Sequence, residues 1–357
     1  MGINILNVSE VGRGDDGSVA VIMPVHNAER YLSESIQSIL SQTFTDFQLI
    51  IVDDGSRDAS WSIIESFDDN RIVKVRFDES RGIVSALNTA LRMTDSEFIA
   101  RMDADDVARD DRFQKQLEFL RSRPDVGVCG SAIRIVKGRF SCYARYPETH
   151  DEIICSLAIY KRAVCHPSVM LRRSVLDREE ICYTSDYRHV EDLSLWHGLA
   201  QKTRFHNLRE PLLAYRMHSE QVSTRYNASQ MDQTQALINT VLSEYFPSLP
   251  LPVREDFLRL LAPKGGSKRI DRVRMDLPGL YADMVSANRV DGKMPSNIFS
   301  KVLISKLFEI VLQENYGLRN TLFAWSRTVF KDPALFLDVA RRAQLSLNSS
   351  IFHSRVA

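Results

Sequence analysis

Glu97-Phe98-Ile99-Ala100-Arg101-Met102-Asp103-Ala104-Asp105-Asp106 runs from an apolar, strand-like stretch straight into a cluster of carboxylates. A strand alternates its side chains, so Asp103 and Asp105 point the same way if the strand continues. Where the strand gives way to a loop, the two can converge on one hard divalent cation. Mg²⁺ and Mn²⁺ prefer oxygen ligands and often take one or two carboxylates, with phosphate oxygens filling the other positions. Read alone, residues 102–106 favour a blander role, because acidic clusters commonly cap helices and Asp110-Asp111-Arg112-Phe113-Gln114 opens one. The surroundings of the cluster decide between the two.

Upstream, the chain alternates strands and helices. Val19-Ala20-Val21-Ile22-Met23-Pro24-Val25 is a short apolar run with β-branched residues, as in a buried strand. Residues 28–42 place Tyr31, Leu32, Ser35, Ile36, Ile39 and Leu40 on one helical face, with Asn27 as the cap. Strands are expected at 47–52 and 72–77, and helices at 58–67 and 82–93. The strand at 97–102 leads to a helix at 110–122, closed by Pro124. This order predicts an α/β fold with a mainly parallel sheet flanked by helices on both faces. Ligands of such sheets bind beyond the carboxyl ends of the strands. Three polar strand ends fall there in turn: Pro24-Val25-His26-Asn27, Asp53-Asp54-Gly55-Ser56 and Asp103-Ala104-Asp105-Asp106. That convergence lifts the carboxylates above helix capping.

The 357 residues suffice for one large domain and a smaller one. A formal net charge of zero argues against a nucleic-acid binder that relies on a basic field. Residues 231–357 nevertheless carry roughly five surplus positive charges. Cys129, Cys142, Cys155, Cys165 and Cys182 are scattered with no Cys-x-x-C pair, which suits free thiols in a reducing compartment. No signal peptide is visible and no apolar run approaches about 18 residues, so a cytoplasmic location is expected. The sequons at Asn7, Asn227 and Asn348, and Arg13-Gly14-Asp15, are then read as chance matches. Beyond about 229 the pattern becomes helical, with Ile298, Phe299, Val302, Leu303, Ile310 and Val311 on one face and a helix start at Asp332-Pro333.

Several pieces in order resemble a family 2 glycosyltransferase of the GT-A (Rossmann-like) fold. They are Val21-Ile22-Met23-Pro24-Val25-His26-Asn27-Ala28, Gln42-Thr43-Phe44, Ile51-Val52-Asp53-Asp54-Gly55-Ser56, Ile99-Ala100-Arg101-Met102-Asp103-Ala104-Asp105-Asp106, Glu191-Asp192-Leu193-Ser194-Leu195-Trp196 and Tyr215-Arg216-Met217-His218. The resemblance covers roughly residues 18–224. It implies a flexible arm at 1–17, a GT-A domain at 18–228 and a helical region at 229–357. Within that domain it sets a nucleotide-binding half, 18–125, and an acceptor half, 126–228.

The resemblance also implies a sugar transfer from a nucleotide-sugar donor, most often UDP-linked, to a hydroxyl of a glycan or lipid-linked acceptor. A hexosyl- or N-acetylhexosaminyl-transferase is expected, in surface polysaccharide or lipopolysaccharide synthesis. By position, Pro24, Val25 and His26 lie beside the nucleotide, and Asp53, or Asp54, accepts a hydrogen bond from uracil. Asp103 contacts ribose or the diphosphate, Asp105 ligates Mn²⁺ or Mg²⁺, and His218 completes that site. Glu191 and Asp192 supply the general base, with Asp192 placed ahead. The chemistry needs these types: a cation stabilises the leaving diphosphate, and a carboxylate takes the proton of a poorly acidic hydroxyl. A single displacement inverts the anomeric carbon. The chain departs from the family pattern in Ser80, where Asn is frequent, and in His26, where Tyr is usual.

Some stretches have plainer readings. Glu191 and Asp192 suit a helix N-terminus whatever else they do. Trp196 reads as core, and His166-Pro167-Ser168 as a shaper of the acceptor site or of the interior. Lys301, Lys306, Arg327 and Lys331 with Phe323, Trp325 and Phe330 suit peripheral docking on anionic lipid. A sugar nucleotidyltransferase would need a glycine-rich phosphate loop after the first strand, which Pro24-Val25-His26-Asn27-Ala28-Glu29 lacks. Gly12-Arg13-Gly14 precedes that strand, whereas a dinucleotide fingerprint follows it. An inactive nucleotide- or sugar-binding module is the non-enzyme alternative. The oligomeric state is left open.

Overall fold

The computed structural model describes residues 3–6, 18–178, 182–186, 190–218, 227–261 and 276–313. The chain forms two compact units: Met1–His150, Val164–Tyr187 and Glu191–Arg225 make one, and Asp151–Ala163, Arg188–Val190 and Tyr226–Ala357 the other.

The first unit is built on strands β1 (Ile3–Leu6), β2 (Val19–Val25), β3 (Phe47–Asp53), β4 (Ile72–Phe77) and β5 (Phe98–Arg101). It continues through β6 (Val107–Ala108), β7 (Val126–Lys137), β8 (Phe140–Ala144), β9 (Met170–Arg172) and β10 (Arg204–Arg216). They join in the order β1-β4-β3-β2-β5-β9-β7-β10-β6, with β8 on β7. The pairings β4-β3-β2-β5 and β7-β10 are parallel, and the others antiparallel, so the sheet is mixed. The parallel core is the part built by strand–helix–strand crossovers, and β2 is buried along nearly its whole length, as a central parallel strand should be. Ile3–Leu6, expected within a loose arm, instead pairs antiparallel with β4.

Helices α1 (Leu32–Leu40), α2 (Ser60–Ser66), α3 (Ile83–Arg92) and α4 (Arg112–Ser122) fall inside the expected ranges. In α1 the buried residues Leu32, Ser35, Ile36 and Ile39 form one stripe at helical spacing. Asn27 does not cap this helix: Tyr31 holds the cap position, and Asn27 has a φ of 51°. β2 runs with β5 only from Val19↔Phe98 to Ile22↔Arg101, yet with β3 as far as Val25↔Asp53. Pro24, which has no N–H to donate, therefore lies beyond the end of β5. Chain direction across the sheet reverses about β2, so its carboxyl end opens the crevice where ligands of such sheets sit.

The second unit is helical. It holds Asp151–Ala158 of α5 (His150–Ala158) and the helices α8 (Asn227–Tyr245), α9 (Leu251–Leu261), α10 (Leu277–Asp291) and α11 (Ser296–Gln313). Residues 151–163, which the sequence places with the acceptor half, group with these helices. Phe246, Phe257, Met284, Phe299, Leu303 and Leu307 fill the core of this unit. Asp276 caps α10 by accepting from Gly279 N–H, 3.0 Å, and Gly292 ends it at φ 63°. Lys306, expected on a lipid-facing surface, donates its ammonium to the Tyr160 carbonyl at 2.9 Å, and burial pushes it down to about 8. Arg327, Lys331, Phe323, Trp325, Phe330 and the Asp332-Pro333 start lie outside the described residues, as do Arg13-Gly14-Asp15, Asn7 and Asn348. Among the described residues no helix is long and apolar enough to cross a membrane.

Candidate active site

The turn after β3 is fixed by Gly55 and Asp54. Gly55 has a φ of 65°, and a Cβ there would lie 2.6 Å from the Glu79 and Ser80 backbone, so only glycine fits. Asp54 donates its N–H to Val25 O, and its carboxylate accepts from Ser80 Oγ (2.8 Å), Arg81 N (2.6 Å) and Gly82 N (2.9 Å). It pins the 80–82 loop against the end of β3. Ser80, the departure from the family's asparagine, contributes its hydroxyl to this clamp. Asp53 is fully buried. Its Oδ1 accepts from Ser56 N at 3.3 Å, and its Oδ2 lies 3.4 Å from Arg76 Nε with no hydrogen-bond donor among the described residues. Burial raises its pKa, opposed by the Ser56 bonds and Arg76.

Beside this turn is a cavity of about 360 Å³ lined by His26, Asn27, Gly55, Ser56, Arg57, Asp78, Glu79 and Ser80. Of the expected nucleotide residues, His26 lines it, whereas Pro24, Val25, Asp53, Asp54 and Asp103 are not among its lining residues. His26 Nδ1 is 2.7 Å from Asp54 O, an acceptor, so the ring proton sits there. Nε2 then accepts from Asn27 Nδ2 at 3.0 Å, while Asn27 Oδ1 accepts from Arg57 N and Asn27 N donates to Ser56 Oγ. These bonds hold Asn27 in its left-handed conformation.

Beyond β5, single oxygens of Asp103, Asp105 and Asp106 come within 4.8 Å of one another. Each is held by a different partner. Asp103 Oδ2 meets Arg101 Nη1 at 2.5 Å, Asp105 Oδ2 meets His218 Nε2 at 2.8 Å, and Asp106 Oδ1 accepts from Arg216 N at 2.9 Å. The last two partners arrive because β10, kinked by register shifts around Leu208, Pro211 and Leu213, runs out beside β6. Asp106, left to the loop by the sequence, does anchor it: its carbonyl accepts from Ser35 Oγ at 2.6 Å. Its Oδ2 is buried without a partner among the described residues and belongs to the cluster. Burial and then repulsion from Asp103 and Asp105 hold Asp106 well above the usual carboxylate range. His218 lies against Tyr31, ring centres 4.8 Å apart, with Arg30 and Arg216 each 5.1 Å from the same ring. A buried oxygen with no donor, inside a set of carboxylates plus one imidazole, fits a hard divalent cation such as Mg²⁺ or Mn²⁺.

Glu191 and Asp192 open helix α7 (Glu191–Ala200). Asp192 Oδ1 accepts from Leu193 N at 2.7 Å, while Glu191 Oε2 is buried with no partner among the described residues. Burial and the neighbouring Asp192 push Glu191 up to about 7; burial also raises Asp192, opposed by the Leu193 N–H and Arg101. Nearby, His166 Nε2 and Tyr183 Oη are 2.8 Å apart, and Asn88 holds Tyr183 through both its backbone N–H and its carbonyl. His166 is buried, with its pKa pushed well below normal, and Trp196 stands edge-on to it at 5.7 Å. His166-Pro167-Ser168 is thus interior structure, with Ser168 Oγ donating to Cys165 O at 2.8 Å, and Trp196 is core.

Sequence reasoning passed over Arg101, Tyr31, Asn88 and Tyr183. Arg101 carried a readable signal, a charge inside an apolar strand; the other three carried none.

Residues 20–179 match the family described as Glycosyl transferase family 2. The O-antigen biosynthesis glycosyltransferase WbnJ of Escherichia coli is 34% identical over 212 residues, 57% of this chain and 80% of that protein. The putative glycosyltransferase EpsE of Bacillus subtilis is 31% identical, over 58% of this chain and 76% of that protein. Among solved structures, S. aureus TarS 1–349 in complex with UDP-GlcNAc aligns with a TM-score of 0.56 at 17% identity, covering 85% of this chain and 89% of that one. That likeness extends the shared GT-A fold, while the relatives at 30% identity and above carry the kinship. The chain belongs to glycosyl transferase family 2 and is a glycosyltransferase.

Proposed function

We propose that the chain is an inverting, cation-assisted glycosyltransferase. It moves a sugar from a UDP-sugar to a hydroxyl of a glycan or lipid-linked acceptor during cell-surface polysaccharide synthesis. The observation that carries this reading is the carboxylate triad Asp103, Asp105 and Asp106 with His218 beside it, and the acid pair Glu191 and Asp192 near enough to interact with Asp103 and Arg101. WbnJ works in O-antigen biosynthesis and TarS was solved with UDP-GlcNAc, which supports the polysaccharide setting and the uridine donor.

Asp105 and His218 would hold Mn²⁺ or Mg²⁺, with Asp103 on its nucleotide side and Asp106 Oδ2 facing the same point. When bound, the cation supplies positive charge to the leaving diphosphate. The cavity beside Gly55 takes the nucleoside end. Its wall carries Asp78 and Glu79 against one cationic side chain, Arg57, which suits the neutral nucleoside with the diphosphate directed toward the triad. Asp54 has its oxygens committed to the 80–82 loop. Asp53, with Oδ2 unbonded, is therefore the acceptor for the uracil N–H, reached by a small shift of the turn. Asp192 takes the proton of the attacking hydroxyl as the new bond forms. Glu191, with its pKa about 7, keeps a proton longer and acts beside it. No carboxylate is required as a nucleophile, so the anomeric carbon inverts. The protein works at the cytoplasmic face of a membrane, where lipid-linked acceptors are presented.

The test is a panel of nucleotide sugars with Mn²⁺, followed by release of free nucleotide and by thermal denaturation. A UDP-sugar should be turned over slowly without acceptor, and UDP with Mn²⁺ should raise the melting temperature. If every donor stays intact and UDP with metal gives no shift, the reading is wrong.

A further inference from the structure

We propose that Arg101 is a resident counter-cation that keeps the carboxylate triad assembled before any metal binds, and so sets how tightly the metal is held. This rests on the cation-binding role given to the triad above. Arg101 ends β5 with a side chain almost wholly shielded from solvent, 2% exposed for the residue. Its Nη1 forms an ion pair with Asp103 Oδ2 at 2.5 Å, and neither Nη1 nor Nε makes a hydrogen bond among the described residues. The guanidinium charge also acts on Glu191 and Asp192 at the start of α7. One arginine thus faces both acid clusters of the site.

The neighbouring buried arginine shows what a purely structural cation looks like here. Arg112 is fully buried, and it gives Nη2 to the carbonyls of Arg101 and Val169, at 2.8 and 3.1 Å, and Nε to Gln116 Oε1 at 3.0 Å. Its hydrogen bonds, including one from Nη1 to Met102 Sδ at 3.6 Å, go to neutral acceptors. Arg101 instead spends its charge on a carboxylate of the triad. Three carboxylates drawn together in a partly buried loop repel one another unless a cation stands among them. Arg101 is that cation in the metal-free protein. Its presence also weakens the pull of the triad on a divalent ion, because the ion enters a site already partly neutralised.

Arg101→Met keeps much of the apolar stem of the side chain and removes the charge. Titrating the full chain with Mn²⁺ alone, by calorimetry, should show binding about tenfold tighter than in the native protein, the lower end of what a cation at this distance does to a carboxylate. The metal-free melting temperature should drop, and Mn²⁺ should recover most of the drop. Arg101→Lys, which restores a positive charge, should return both measurements toward native values. A variant that folds only with Mn²⁺ present is the strongest form of the expected result. Equal Mn²⁺ affinity in Arg101→Met and the native chain, or a stability loss that Mn²⁺ does not relieve, would overturn the proposal while leaving the triad a metal site. If the native chain itself binds no Mn²⁺, the cation reading fails and this inference with it.

Discussion

The two acid clusters of the site are built from the same residue types in different hydrogen-bonding settings. Asp103, Asp105 and Asp106 each meet a nitrogen donor from elsewhere in the fold: Arg101, His218 and the Arg216 N–H. Glu191 and Asp192 sit on the first turn of α7, where Asp192 finds only the adjoining N–H and Glu191 Oε2 finds none among the described residues. The first setting, in the proposed reading, gathers oxygens for a cation, although burial and repulsion also hold Asp106 well above the usual carboxylate range. The second leaves a carboxyl that still holds its proton near neutral pH, with Glu191 pushed up to about 7 by burial and by Asp192. In the proposed mechanism, context more than residue type divides the labour between metal binding and proton transfer.

Substitution can break that division, and the largest effect should come from the proton-transfer side. Asp192→Asn should lower kcat for transfer by about 10²–10⁴ while leaving Mn²⁺-dependent UDP binding intact, since general-base catalysis is typically worth that much. Steady-state kinetics beside a UDP titration separate the two; retained turnover would move the base to Glu191. Asp105→Asn attacks the other cluster. It should weaken Mn²⁺-dependent UDP binding by more than about a hundredfold, since loss of a direct ligand exceeds the 10–100-fold typical of outer partners. It should leave metal-independent stability almost unchanged, because Asp105 is not fully buried. If binding survives, the cation is held by Asp103 and Asp106 instead.

A third variant touches neither cluster and so sharpens the comparison. Gly55→Ala places a methyl 2.6 Å from the Glu79–Ser80 backbone at a φ of 65°. The cost should be about 2 kcal/mol or more in chemical denaturation. In the protein that remains folded, donor KM should rise with kcat little changed, because the nucleoside cavity is displaced and α7 is not.

How far these roles could be read from residues alone depended on their distance along the chain. The parallel core was legible because its strands are continuous apolar runs with polar ends: β4 falls at 72–77 as expected, and β2 and β3 agree to within a residue. Local patterning fixes such elements. The antiparallel strands β6 and β9 were not legible, since two or three residues carry no period. Asp53 and Asp54 looked equivalent as a doublet. Only the fold brings residues 80–82 onto Asp54 and shows its oxygens occupied. His218 reaches Asp105 across more than a hundred positions, a meeting that spacing cannot foretell and that the family pattern supplied. Arg101 was visible as an oddity in an apolar strand, but its carboxylate neighbours come from a loop and a distant helix, so its role had to wait for three dimensions.

The smallest expected effect tests the proton-holding side most directly. Glu191 has an ordinary value of 4.5 and about 7 in the fold. Between those values the folded protein binds more protons at this site than the unfolded chain does. The contribution of Glu191 to stability is therefore present below about 4.5 and is lost as pH rises toward 7. Glu191→Gln, which cannot ionise, should flatten that slope, and the variant should be on the order of 1 kcal/mol more stable than the native chain at pH 8, though not at pH 4.5. Thermal melts across that range measure the difference. The same variant bears on the reaction. With Asp192 as base, the acid limb of the rate profile survives Glu191→Gln. With Glu191 as base, the limb lies near 7 and the substitution removes both limb and turnover.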